Sequence, residues 1–131
     1  MATLDLRPAT ANIYGYSGDT LTVNVTAPAE ITNGMDWHAS VRTTRSGEVD
    51  EEFTIAEPET PGAKASLTLT SEQTRALCAK GVLVTKRTFD GTFQIRRFTG
   101  AWDCQISLDL ADPVRTLAQG TIVIEEDVTR P

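Results

Sequence analysis

His38 is the only histidine in this sequence, so acid–base chemistry near neutral pH has one natural candidate. It falls in Asp36–Thr43, where Trp37, Ala39 and Val41 alternate with His38, Ser40 and Arg42. That period of two puts His38 on the outward face of a strand. A solvated surface histidine is the simpler reading, and a general acid or base is the other. One histidine cannot build a His-rich metal centre. Asp50-Glu51-Glu52 and Glu125-Glu126-Asp127 are runs of the oxygen ligands that Ca²⁺ takes. Charged runs beside strands also keep edges soluble and unpaired, which is the preferred reading of both. Ser17 and Ser71 have no histidine nearby in sequence and suit a turn and a helix cap instead. No glycine-rich phosphate loop of the GxxxxGK type occurs. The expectation is no catalytic residue, no metal, no cofactor and no enzyme activity.

A denser signal is basic. Lys86, Arg87, Arg96 and Arg97 cluster in a chain of 12 Lys+Arg and 18 Asp+Glu, with a net charge of −6. Phe89, Phe93 and Ile95 lie among them. The group is either a solvated hairpin or a contact arm for an acidic protein surface. Aromatic residues with arginine are the composition of interface centres. Lys86, Arg87, Phe89, Phe93, Arg96 and Arg97 are therefore the expected partner-binding residues. An acidic chain gains little from a phosphate backbone, so nucleic acid is not an expected partner. No apolar run approaches the ~20 residues of a membrane span. Met1–Ala11 has no hydrophobic leader segment, which places synthesis in a cytoplasm. Cys78 and Cys104 then read as small buried hydrophobes. A disulfide between them would need Cα atoms within about 7 Å.

The elements that would position these residues are mostly strands. Trp102–Leu110 alternates, with Trp102, Cys104, Ile106, Leu108 and Leu110 on one face. Asp112-Pro113 breaks it. Gly120 opens a second run, in which Ile122 and Ile124 face in while Val123 and Glu125 face out. Thr20–Thr26 points Leu21, Val23 and Val25 inward, and Ala65–Thr70 does so with Leu67 and Leu69. Phe53 and Ile55 carry a further strand, with Asp50-Glu51-Glu52 as its wet approach. Met1–Ala11 is an edge strand or an arm. Pro58 and Pro61 mark a loop, and Asn33-Gly34 a turn. Ser71–Gly81 is the one helix, with Ser71 as cap, Glu72 at the positive end of the dipole and Gly81 just past the end. Val82–Phe98 reads as a long hairpin on an Asp90-Gly91 turn. That turn pairs Phe89 with Thr92, Arg87 with Gln94, Thr85 with Arg96 and Leu83 with Phe98. Both faces are then mixed, so the hairpin projects from the body. Thr99-Gly100 leads from it into the strand at Trp102. Together these elements predict a single all-β domain over residues 1–131: an antiparallel β-sandwich with one short helix at about 71–80 and a long hairpin at about 82–98. Core strands should include Trp102, Cys104, Ile106 and Leu108 against Leu21, Val23, Trp37, Val41, Ile122 and Ile124. Asp127 and Arg130 could tie down the chain end by a charge-assisted bond.

Two stretches carry a resemblance. Leu69-Thr70-Ser71-Glu72-Gln73-Thr74-Arg75-Ala76-Leu77 resembles an "L-T/S-x-E-x-T-x-x-L" run of small phage β-sandwich modules. Gly120–Ile124 with Asp127-Val128-Thr129-Arg130 resembles their last strand and "DVTR" ending, and Trp37–Arg42 fits their "A-x-V/I-R" strand. The modules are similar to the N-terminal domains of baseplate upper proteins and long-tail-fibre proteins, the LtfC-like β-sandwich group. The resemblance implies a non-enzymatic bacteriophage virion structural protein, made in the host cytoplasm and carried in the virion. Its partners would be other virion proteins. Val82–Phe98 is longer than the matching segment of those modules, and the sequence stops one residue after Arg130, where a fibre would continue. Both departures shift the expectation to a capsid decoration or minor capsid protein on the major capsid protein, with self-association a further option. A baseplate or tail-fibre adaptor is the alternative. A carbohydrate-binding module is a third, opposed by the inward placement of Trp37 and Trp102, which leaves Tyr14 and Tyr16 as its aromatics.

Overall fold

The computed structural model describes residues 9–26, 36–44, 47–57, 63–89, 91–107 and 115–126. Within them the chain forms β1 (Ala9–Thr10), β2 (Ile13–Tyr16), β3 (Leu21–Thr26), β4 (Asp36–Arg42), β5 (Val49–Glu52), β6 (Thr54–Ala56), β7 (Lys64–Leu69), α1 (Ser71–Ala79), β8 (Val82–Thr88), β9 (Gly91–Ser107) and β10 (Arg115–Glu125). The fold is all-β with one short helix. Seven strands make one sheet in the order β1-β10-β9-β4-β5, with β2 also on β10 and β8 also on β9. The second sheet is β3-β7-β6.

Alternation builds the core between the sheets. Val25, Leu67 and Leu69 of the small sheet pack in one cluster with Val41, Phe98, Trp102, Cys104, Ile106, Ile122 and Ile124 of the large one. Leu21, Val23 and Trp37 join it partly buried. Every described member of the expected inward set is therefore in or against the core. Leu108, Leu110, Asp112-Pro113, Asn33-Gly34, Pro58, Pro61 and the Asp127–Arg130 pair lie outside the described residues.

Several expectations are corrected. The large sheet is mixed rather than antiparallel, because β1 and β2 run parallel to β10. The hairpin of β9 and β10 leaves the outer edge of β10 bare, and the N-terminal segment covers it in the same direction. Thr99-Gly100 is no lead-in: β9 runs unbroken for 17 residues. A Cβ on Gly100 would stand 2.4 Å from the Arg42 carbonyl oxygen, so this glycine permits close strand approach rather than ending a strand. Asp50-Glu51-Glu52 is not a loop but part of β5, paired with β4. The chain changes sheets at buried Phe53, whose N–H donates to the Ala39 carbonyl at 2.9 Å. The helix is capped by Thr70, not Ser71. Thr70 Oγ1 accepts from the Gln73 N–H at 3.2 Å, and Gln73 Oε1 accepts from the Thr70 N–H at 2.9 Å. Gln73 stands three residues after Thr70, as a capping box requires. Buried Thr74 docks the helix, donating to the Asp19 carbonyl at 2.8 Å and accepting from the Gly18 N–H at 3.0 Å.

Candidate contact hairpin

Strands β8 and β9 pair as Val82 with Arg97, Leu83 with Arg96, Val84 with Ile95, Thr85 with Gln94, Lys86 with Phe93, Arg87 with Thr92 and Thr88 with Gly91. This corrects the expected register. Gly91 is not a central turn residue but the first residue of β9, with a φ of 138° that favours glycine. The observed register puts Val84 beside Ile95, two apolar side chains on one face, where the Asp90-Gly91 turn would have set Val84 against Arg97. Cross-strand packing outweighs the local turn signal. The shift is of two residues, so each face keeps the side chains that alternation assigns it and only the pairing along the ladder changes. One carries Val82, Val84, Lys86, Phe93, Ile95 and Arg97, and the other is polar except at Leu83.

The six expected partner-binding residues are divided between the faces. Lys86, Phe93 and Arg97 stand together on the outward face of the large sheet. Arg87 and Arg96 point to the opposite side, and Phe89 sits at the turn. Arg96 is turned to the body: its guanidinium donates to the Gly81 carbonyl at 2.9 Å, and its backbone N–H to a Glu126 carboxylate oxygen. Arg87 is exposed. Phe89 is fully open at 104% relative exposure, and Phe93 is 48% exposed.

Glu125 is the residue that sequence reading misplaced. It was expected outward and wet; it is outward and 1% exposed. Lys86 Nζ reaches Glu125 Oε1 at 3.4 Å, and Arg97 Nε reaches Oε2 at 2.6 Å. Arg97 adds a second guanidinium contact to the same oxygen. Burial pushes the Glu125 carboxyl above its ordinary range. Across the sheet, Val82, Arg97, Glu125 and Tyr16 occupy adjacent positions on β8, β9, β10 and β2. Tyr14 lies beside Val123 in the next row, with its ring edge-on to Tyr16 at 5.7 Å. Only the odd positions of Ile95, Val123 and Glu125 hint at this second cluster; the pairing with β2 has no local signal.

No family model and no curated protein matches this chain.

The other candidate groups are engaged or scattered. Among the described residues, no group of His, Cys, Asp and Glu is arranged to hold a metal ion. Asp50 accepts from Thr43 at 2.8 Å and from Lys80 at 3.3 Å, which holds its carboxyl below the ordinary range. Cys78 and Cys104 are free thiols, both buried. Burial pushes Cys104 up to about 12 and also raises Cys78, so neither is an activated nucleophile. His38 is exposed on β4, Ser17 lies at the turn after β2, and Ser71 is in the first turn of α1.

Proposed function

We propose that this is a non-enzymatic structural protein of a bacteriophage virion, one that decorates the capsid by docking the β8–β9 hairpin on the major capsid protein. The exposed tip carries the reading. Phe89 is wholly open to water at the turn, Phe93 is half-exposed on β9, and Val82 and Leu83 are exposed at the base of the same hairpin. Apolar side chains concentrated on one projecting element mark a surface that a partner covers. Arg87 adds a cation that a carboxylate could take in paired hydrogen bonds. Lys86 and Arg97 are held by Glu125, so the tip binds mainly through Phe89, Phe93 and Arg87. The likeness of Leu69–Leu77 and Gly120–Ile124 to phage β-sandwich modules supplies the virion context.

The test mixes particles lacking this protein with wild type and with an Arg87→Glu, Phe89→Ser variant, and measures occupancy. The variant should fold and fail to load, and wild-type loading should weaken as salt rises. Equal occupancy would exclude the hairpin as the contact. Copy number then separates sites: one copy for every few capsid subunits places it on the head, and a handful per particle on the tail.

A further inference from the structure

At the opposite end of the outward face, the large sheet bears a polar trough. Two hollows of about 240 and 160 Å³ adjoin there and share Arg42, Asp103 and Gln105. The larger opens at the edge of β4, where Glu52–Ile55 parts from β4 to cross between sheets, and it is also lined by Trp37 and His38. Trp37, expected to point inward, packs against the core only partly buried and borders this hollow.

Asp103 lies at the centre. Arg42 donates to its Oδ2 at 3.3 Å, the Gln105 amide to the same oxygen at 3.4 Å, and buried Ser40 to Oδ1 at 3.4 Å. Three donors thus fix the carboxylate while each bond is long and weak. Ligand hydroxyls could donate to Asp103 and accept from Arg42, Gln105 and His38. The charges at the site are one guanidinium against the carboxylates of Asp103 and Glu52. That balance disfavours a phosphate or other anion, and so many polar groups disfavour an apolar ligand. A hydroxyl is both donor and acceptor, which matches such a mixed lining. Each hollow is smaller than the ~300 Å³ of drug-sized sites, so it suits one small ring, and the shared residues join two.

We infer that this trough binds a neutral saccharide, with the Asp103–Arg42–Gln105 cluster bonding its hydroxyls. The site is separate from the hairpin contact, and each stands without the other.

The experiment records amide and indole resonances of the ¹⁵N-labelled full chain during titration with cellotetraose, maltotetraose, mannotetraose and chitotriose, with glucose 6-phosphate and choline as charged probes. At least one neutral oligosaccharide should give saturable shifts at Ser40, Arg42, Asp103 and Gln105. Asp103→Asn and Gln105→Ala should each weaken that binding about tenfold, the worth of one charge-assisted hydrogen bond. Gln105→Ala, on the outward face, keeps the test open if Asp103→Asn unfolds. The Arg87→Glu, Phe89→Ser variant should bind sugar as wild type does. The inference fails if no neutral probe moves these resonances at millimolar concentration, if both trough variants bind undiminished, or if a charged probe binds there more tightly.

Discussion

Strand β9 passes through two environments, and its two halves bury opposite faces. From Phe98 to Ile106 the even residues are buried under the small sheet, while Thr99, Ala101, Asp103 and Gln105 face out. Beyond Arg97 the small sheet no longer decides burial. Ile95, an odd residue, is 2% exposed, and Gln94 and Thr92 are open. The first half is ordered by an apolar layer opposite it. The second is ordered by its own neighbours, Val84 and Lys86 on β8, and by Glu125 on β10, to which Lys86 reaches across. A dry interface can bury a strand face without any ion. A single-layer sheet face does so here with a carboxylate held by two cations, at a desolvation cost that the pairing must offset.

The largest break should come in the first half. Trp102 packs against Phe53, and its indole N–H donates to the Ala11 carbonyl at 2.9 Å. A Cβ on Gly120 would sit 1.7 Å from that same carbonyl oxygen, so Gly120 is what lets the N-terminal backbone reach the indole. Trp102→Ala should cost about 3–5 kcal/mol in denaturant unfolding. Trp102→Phe keeps most of the packing and loses the hydrogen bond. It isolates a smaller penalty of about 0.5–1.5 kcal/mol for the lost hydrogen bond.

The second half should break asymmetrically. Lys86→Ala with Arg97→Ala strands a carboxylate that is 1% exposed, and about 3–5 kcal/mol should be lost at pH 7. Glu125→Leu instead leaves two cations that are each more than a third exposed, and these can rehydrate. It should change stability by only about 1 kcal/mol in either direction. The pH dependence gives the sign. With its carboxyl raised, folded Glu125 binds a proton more tightly than the unfolded chain does, so its contribution favours folding most at low pH and declines as pH rises through the folded pKa. The double variant should therefore regain stability relative to wild type on acidification. Unfolding curves from neutral to acid pH measure this, and a constant difference would mean that Glu125 carries no burden in the fold.

The same contrast explains what was legible in the sequence. Trp102, Cys104 and Ile106, Ile122 and Ile124, and Leu21, Val23 and Val25 were readable as inward sets because one sheet face meets an apolar layer and the other meets water. The short helix was readable from its caps to within a residue. Glu125 was not, because its burial depends on Lys86 and Arg97, far from it in sequence and placed by register. That register was itself hidden: Asp90-Gly91 is a strong local signal, and only the meeting of Val84 with Ile95 overrides it. The change of sheet at Phe53 and the parallel docking of β2 are likewise set by edges left open elsewhere. The hairpin residues were legible as a composition and their division between two faces by alternation, but their pairing along the ladder and the Glu125 contacts were not. The trough escaped notice because its residues come from 36–42, 52 and 103–105, each unremarkable alone.

The smallest effect on stability should be at the tip, which tests whether the second half is built for folding throughout. Phe89 and Arg87 are exposed, and among the described residues no ion pair or ring contact engages them. Arg87→Glu with Phe89→Ser should shift unfolding stability by no more than about 0.5 kcal/mol each, as for ordinary surface sites. Lys86, next to Arg87 on the same strand, and Arg97, at the base of the hairpin, should behave oppositely. A large loss at the tip would mean that Phe89 folds back on the body in solution, and the hairpin would then be a structural flap. A negligible loss leaves the chain with an exposed phenyl ring and a cation that contribute nothing measurable to its own stability, which is the pattern expected where side chains serve a contact with another molecule.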